Sequence, residues 1–194
     1  MALQRGETHI AGTHLLDPET GVYNVLDIRR AIPKVSVALV HLAKREQGIL
    51  VMRGNPKSIR GLEDLARADI RFVNRQPGSG TRVLLDYELK KRAIDAASIA
   101  GYEREEFTHM AVGVAIASGL ADAGLGVRAA ANALGLDFLP VASEQYDLLI
   151  ARSFFESRRG QRLLAVMDSA GFKAAVAALG GYDPARAGEV LYRQ

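Results

Sequence analysis

The strongest chemical signal in this 194-residue chain is the run Pro77-Gly-Ser-Gly-Thr-Arg82. It stands between a strand-like stretch, Asp69–Val73, and a helix-like stretch, Thr81–Arg92. Glycine lets a backbone approach a ligand closely, and the first turn of a helix leaves N–H groups without intrahelical acceptors. Such a turn attracts anions, and the hydroxyls of Ser79 and Thr81, the backbone of Gly80 and the charge of Arg82 would add to it. The same residues suit an ordinary helix start with Ser79 as its N-cap, and composition alone weighs the two readings about evenly. The lysine and spacing of a nucleotide P-loop are absent. Ser79 also lacks the G-x-S-x-G frame of a nucleophile elbow.

A second helix start follows at Glu105-Glu-Phe-Thr108-His109-Met110, which opens an apolar stretch running to Ser118 and stopping at Gly119. Thr108 is a natural cap, and the two acids suit the positive end of the helix dipole. Alone, this is a well-capped core helix. Paired with the first helix start, it would grip an oxyanion from two sides. The four histidines, His9, His14, His41 and His109, have no i, i+4 zinc spacing, and there is no cysteine to supply a thiolate ligand, a nucleophile or a disulfide. The neighbouring acids Glu63-Asp64 and Glu105-Glu106 point apart on a helix and cannot act as an acid/base couple. With no nucleophile–base set, the chain is expected not to be an enzyme and to need no cofactor or metal.

The elements that must position these residues alternate between strand and helix patterns, the signature of an α/β protein. Strand-like runs are Thr8–Gly12, Val35–Val40, Gly48–Met52, Asp69–Val73, Ala121–Val127, Leu136–Pro140 and Tyr146–Ile150. Helix-like runs are Gly61–Arg67, Thr81–Arg92, His109–Ser118, Ala129–Leu134 and two amphipathic stretches between Phe154 and Leu179. Asp17 to Pro33 is polar and turn-rich. One internal echo stands out: Leu3–Gly12 and Ile116–Gly124 both read as a helix end, a glycine stop and a short strand of small residues. That pairing suggests two related lobes.

Composition bounds the function. A net charge of +3 favours anionic ligands slightly. The basic residues are scattered and not interleaved with aromatics, so no nucleic-acid contact is expected. No apolar run approaches the ~20 residues of a membrane span. The polar start, Met1-Ala-Leu-Gln-Arg-Gly-Glu, is unlike a signal peptide, so a cytoplasmic location is expected.

Taken in order, Gly12-Thr-His-Leu-Leu-Asp-Pro-Glu-Thr-Gly21, Tyr23-Asn24, Arg45-Glu-Gln-Gly48, Gly54-Asn-Pro56, Phe72-Val-Asn-Arg75, Gly78-Ser-Gly-Thr-Arg82, Phe107-Thr-His109 and Ala121–Gly126 resemble the molybdate-binding-protein-like domain family. These are type II periplasmic-binding-protein domains, often placed behind a helix-turn-helix domain in bacterial transcription regulators. The resemblance runs from Leu3 to about Tyr182. It implies a two-lobed α/β fold with a first lobe of residues 1–40 and 141–194, a second lobe of residues 41–140, and hinge strands near Val37–Leu42 and Leu139–Asp147. Family domains carry a further strand, helix and strand ahead of the position of Leu3, including a serine loop that meets the ligand. The first lobe is therefore expected to lack that opening segment.

By the same resemblance the ligand residues are Thr13, His14, Ser79, Gly80, Thr81, Arg82, Thr108, His109 and Tyr146, with Tyr23 and Asn24 as weaker candidates. The expected function is sensing of a small oxyanion, molybdate or tungstate, as a module of a transcription regulator, with occupancy relayed by lobe closure. A transport-type binding protein is the alternative in the same class. An interaction domain with a vestigial site is a further alternative, and a transferase stands further off. An incomplete first lobe would leave an open strand edge, so a homo-oligomer, most simply a twofold dimer, is also expected.

Overall fold

A computed structural model describes every residue except Met1, Pro18 and Glu19. Pro18 and Glu19 of the turn-rich stretch therefore lie outside the described residues. In chain order the elements are β1 (Ile10–Thr13), α1 (Val25–Ala31), β2 (Val37–Val51), β3 (Phe72–Arg75), α2 (Gly80–Lys91), β4 (Glu105–Glu106), α3 (His109–Ala117), β5 (Ala123–Val127), α4 (Arg128–Leu134), β6 (Asp137–Ala151), α5 (Arg152–Phe155), α6 (Arg158–Asp168), α7 (Ala170–Ala177), β7 (Tyr182–Asp183) and β8 (Val190–Arg193). The chain divides into two compact units. Unit 1 holds the residues up to Arg45 with Glu144–Gln194, and unit 2 holds Glu46–Ser143. The divisions stand a few residues later than the 40/41 and 140/141 expected from the sequence.

Unit 2 is built on parallel pairing of β3 with both β4 and β5, while the second half of β2 runs antiparallel to β5. Alternate strand residues face opposite sides of the sheet, and the core splits accordingly. Ile49, Val51, Phe72, Ala123 and Leu125 pack with Leu85 and Leu89 of α2. Leu50 and Val73 pack with Val112, Ala115 and Ile116 of α3 and Ala130 and Ala131 of α4. A sheet covered on both faces is what buries near-continuous apolar strands. Gly124 lets α3 come close, because a Cβ there would press on Val112 at 2.6 Å and on the Val73 carbonyl at 2.8 Å.

In unit 1, β1 pairs antiparallel with the end of β6, and β7 and β8 pair with the first half of β2. Val37, Leu39 and Leu149 pack against Leu3 and Ile28, while Ala38, Val40 and Ile150 pack against Phe155 and Met167. The echo in the sequence has a structural counterpart. Gly6 (φ 72°) and Gly119 (φ 74°) both sit in the left-handed region. The amides of Gly6 and Glu7 bond to Leu3 and Ala2, and those of Gly119 and Leu120 bond to Ile116 and Ala115, the paired bonds of a Schellman closure.

Three expectations from the sequence need correction. Val35–Val40 and Gly48–Met52 are not two strands but the ends of one fifteen-residue strand, β2. Leu136–Pro140 and Tyr146–Ile150 likewise merge into β6, also fifteen residues long. The polar residues between the paired runs belong to the strands, and His41, Arg45 and Gln47 are buried in β2 with polar partners. Within the supposedly turn-rich stretch lies α1, seated through Ile28 on the unit 1 core.

Candidate functional site

In unit 2, β3 leads into α2, and β4 into α3, so both helices start beyond the C-terminal ends of parallel strands, where open α/β sheets bind ligands. Gly78 (φ 79°) turns the chain into α2, and Ser79 caps it by accepting the Arg82 amide at 3.2 Å. Thr81 is buried and its hydroxyl accepts from the Gln47 amide at 3.1 Å. Thr108 caps α3 by accepting the Ala111 amide at 2.9 Å. The pattern is shared: each hydroxyl oxygen takes its internal bond as an acceptor, which leaves its proton to donate elsewhere. The amides of Gly80 and Thr81 belong to the first turn and have no intrahelical acceptor. Arg75 ties the two starts together, donating from β3 to the carbonyls of Glu106 (3.2 Å) and Phe107 (3.0 Å) just before α3. His109, half-buried, opens α3 with its ring beside Gly126 of β5.

Arg82 is placed differently from a free cation. Its guanidinium carbon lies 3.9 Å from the centre of the Tyr102 ring. Its nitrogens bond the carbonyls of Arg75 (3.3 Å) and Tyr102 (3.4 Å) and pair with Asp86 at 3.4 Å and Glu103 at 3.9 Å. Burial and the hydrogen bond to Asp86 push the Tyr102 phenol above its usual range, and Arg82 opposes them.

Unit 1 gathers Thr13, His14 and Tyr146. The His14 ring lies 5.3 Å from Tyr146, whose other contacts include the Arg45 guanidinium at 4.5 Å from its centre. Gly12 makes room for that ring, since a Cβ there would collide with the Tyr146 hydroxyl. Behind these residues is a buried polar network that the sequence reading missed. Arg45 pairs with Glu144, and His14 lies 4.0 Å from the same carboxylate. Asp147, fully buried, accepts from Asn24 (2.6 Å) and Gln145 (2.7 Å) and meets His41 Nδ1 at 2.8 Å. Asn24 Oδ1 in turn accepts from the Thr13 hydroxyl at 2.9 Å and the Leu15 amide at 2.8 Å. Asn24, a weak candidate from the sequence, is thus central, whereas Tyr23 bridges to Leu16 and accepts the Val25 amide on the way to α1. One signal was legible: His41, Arg45 and Gln47 stand at even spacings and so share a strand face. Among the described residues no cluster of three or more His, Asp or Glu is arranged to hold a metal ion, and no helix is long and apolar enough to cross a membrane.

Comparisons with known proteins bear on this arrangement. A domain family described as the PBP (periplasmic-binding-protein) superfamily matches residues 1–168. The chain is 38% identical over 192 residues to YvgK of Bacillus subtilis (strain 168), covering 97% of this chain and 61% of that protein, so it spans about three-fifths of that relative's length. Three solved structures share the fold. A putative phosphate ABC transporter substrate-binding protein with bound phosphate from Clostridium perfringens has TM-score 0.65 at 11% identity, covering 94% of this chain and 81% of its own. The ancestral amino acid-binding protein AncCDT-1, a precursor of cyclohexadienyl dehydratase, has TM-score 0.60 at 18% identity, covering 91% and 70%. A histidine kinase sensor domain similar to periplasmic binding proteins has TM-score 0.59 at 16% identity, covering 94% and 74%.

Proposed function

We propose, on the premise that the chain belongs to the PBP superfamily, that it binds a small tetrahedral oxyanion, with molybdate and tungstate as candidates beside sulfate and phosphate, and that it serves as a ligand-sensing module of a transcription regulator. The observation that carries the reading is the set of hydroxyls at Ser79, Thr81 and Thr108, each accepting internally and so left with a proton to donate. Neutral donors of this kind, with helix-start amides, suit a dianion. The phosphate bound by the Clostridium perfringens protein and the sensor role of the histidine kinase domain support the two halves of the proposal by analogy of fold alone. In unit 2 the ligand residues are Ser79, Gly80, Thr81, Thr108 and His109, with Arg82 holding the α2 start in place. In unit 1 they are Thr13, His14 and Tyr146.

A transport-type binding protein is the second reading, and the likeness in fold to the putative phosphate ABC transporter substrate-binding protein of Clostridium perfringens supports it by analogy alone. A thermal-shift screen against molybdate, tungstate, sulfate and phosphate tests the proposal. A ligand at about 100 times its dissociation constant stabilises by about 2.7 kcal/mol, well within reach of such a screen. In calorimetric titration, Ser79→Ala with Thr81→Ala should weaken binding by about 1–3 kcal/mol, the cost of lost donors to a charged group. The fold should lose about 1 kcal/mol for the Ser79 cap and a further ~1–3 kcal/mol for the buried Gln47 amide left without the Thr81 hydroxyl. Unchanged affinity in the double variant counts against the proposal.

A further inference from the structure

Helix α3 is apolar on the side that faces away from the core as well as on the side that faces it. Of its nine residues only His109 is polar, and Val112, Ala115 and Ile116 fill the buried side. A helix that is apolar all round is normally covered all round. Here Met110 and Val114 are 44% and 52% exposed, with Phe107 (70%) just before the helix and Leu120 (55%) just after it. They are four of the eight large apolar side chains exposed among the described residues, gathered within fourteen positions, and so are not the scattered singles of an ordinary surface. The steps from Phe107 to Met110, Val114 and the exposed Ala117 are three, four and three residues, which keeps them on one face.

The charges beside the stripe say what covers it. Val73 of β3 packs on α3, so Arg75, two residues on, and its register partner Glu106 share that face of the sheet. Glu106 thus stands beside Phe107 at the start of α3. Arg104 stands at the far end of the stripe, where it donates to the Leu120 carbonyl at 2.9 Å. Neither Glu106 nor Arg104 has an ion-pair partner among the described residues. An acid at one end of an apolar stripe and a base at the other complement the same stripe laid antiparallel. We infer that unit 2 associates with a second copy of this chain through α3, antiparallel about a twofold axis beside Val114. Phe107 of each copy then lies on Leu120 of the other, Met110 on Ala117, and Glu106 beside Arg104. Such an isologous contact covers the stripe and neutralises both pairs of charges at once. A helix of nine residues makes a small interface, of the size found in transient contacts. Nothing in this contact depends on a ligand at the helix starts.

Because the chain has no cysteine, single thiols test the contact. Val114→Cys, oxidised at micromolar concentration, should form a covalent dimer, since thiols next to a twofold axis come within disulfide distance of their own copies. Ser98→Cys sets the rate of chance collision, because Ser98 is exposed and precedes Ile99 of the core on the opposite, α2 side of the sheet. Val114→Cys should cross-link faster by about tenfold or more, because association turns an encounter between molecules into one within a dimer. A mixture of Met110→Cys and Ala117→Cys should cross-link better than either alone, as the antiparallel register requires. Arg104→Glu or Glu106→Arg, added singly to Val114→Cys, should suppress the cross-link, and both together should restore it, which a misfolded variant would not do. Cross-linking reads this contact alone, apart from any association through unit 1. Val114→Cys no faster than Ser98→Cys overturns the inference and leaves the stripe to a different protein. A cross-link unmoved by the charge variants, or Met110→Cys alone outrunning the mixture, overturns the antiparallel arrangement.

Discussion

Residue types alone do not disclose which way a hydroxyl points its proton. Ser79, Thr81, Thr108 and Thr13 are alike as letters in the sequence. Their difference lies in partners up to 34 positions away, Gln47 for Thr81 and Asn24 for Thr13. Arg82 shows the same limit from the other side. As a sequence feature it is the one charge beside an anion loop, but in the structure its side chain is 9% exposed and engaged with Tyr102, Asp86 and the Arg75 carbonyl. Arg82→Met should therefore cost about 2 kcal/mol of stability, because it removes the charge-assisted hydrogen bonds together with the cation–π stacking on Tyr102. The anion affinity of the folded variant should stay close to that of the parent. Urea unfolding paired with calorimetry separates the two effects, and an affinity that falls with stability unchanged would make Arg82 a direct ligand residue.

Elements were legible in proportion to how local their causes are. α2, α3 and α4 follow from the sequence within a residue or two, because caps at Ser79 and Thr108 and stops at Gly119 and Gly135 are written in adjacent positions. β5 shows in its run of small and apolar residues, whereas β3 shares only Phe72 and Val73 with the expected Asp69–Val73 and continues through the polar Asn74 and Arg75. The continuity of β2 and β6 does not, since it depends on polar residues whose partners lie far along the chain, such as Arg45 with Glu144 and His41 with Asp147. α1 escapes because its start is the strained Asn24 rather than a recognisable cap. Electrostatics add one element-scale expectation, at the entrance to β3 and β5. Arg71 bonds Asp122 through its side chain and its backbone amide, at 2.8–3.0 Å, and the first of these holds the Asp122 carboxyl below its ordinary range. A carboxylate with a depressed folded pKa stabilises above its unfolded pKa, and that contribution is lost as the pH falls through the folded value. Because Arg71 is well exposed, the contribution should stay within about 1 kcal/mol. Asp122→Asn should thus lower stability at neutral pH and flatten the acid limb of the stability curve. An unchanged acid limb would show that the pair contributes nothing.

At the scale of the molecule, the fold and its two-unit division were accessible from the order of motifs, while ligand choice and assembly were not. Assembly turns on surfaces. β1 has β6 on one side and no strand on the other among the described residues, and α7 has no buried residue despite its apolar composition. An open edge, and a helix that reaches the core only through the partly buried Phe172, favour association with a second copy. Light scattering at micromolar concentrations should show a dimer, and a concentration-independent monomer would contradict it. The clasp around Tyr146 has an optical corollary. The chain has six tyrosines and no tryptophan, so tyrosine emission is not drained by energy transfer to an indole. Tyr146, held between His14 and Arg45, has its fluorescence set by two neighbours that a ligand at Thr13 and His14 would disturb. A ligand bound there should change the tyrosine emission of the parent protein and leave that of Tyr146→Phe unmoved, since the emission of Tyr23, Tyr182 and Tyr192 of the same unit remains as a constant background.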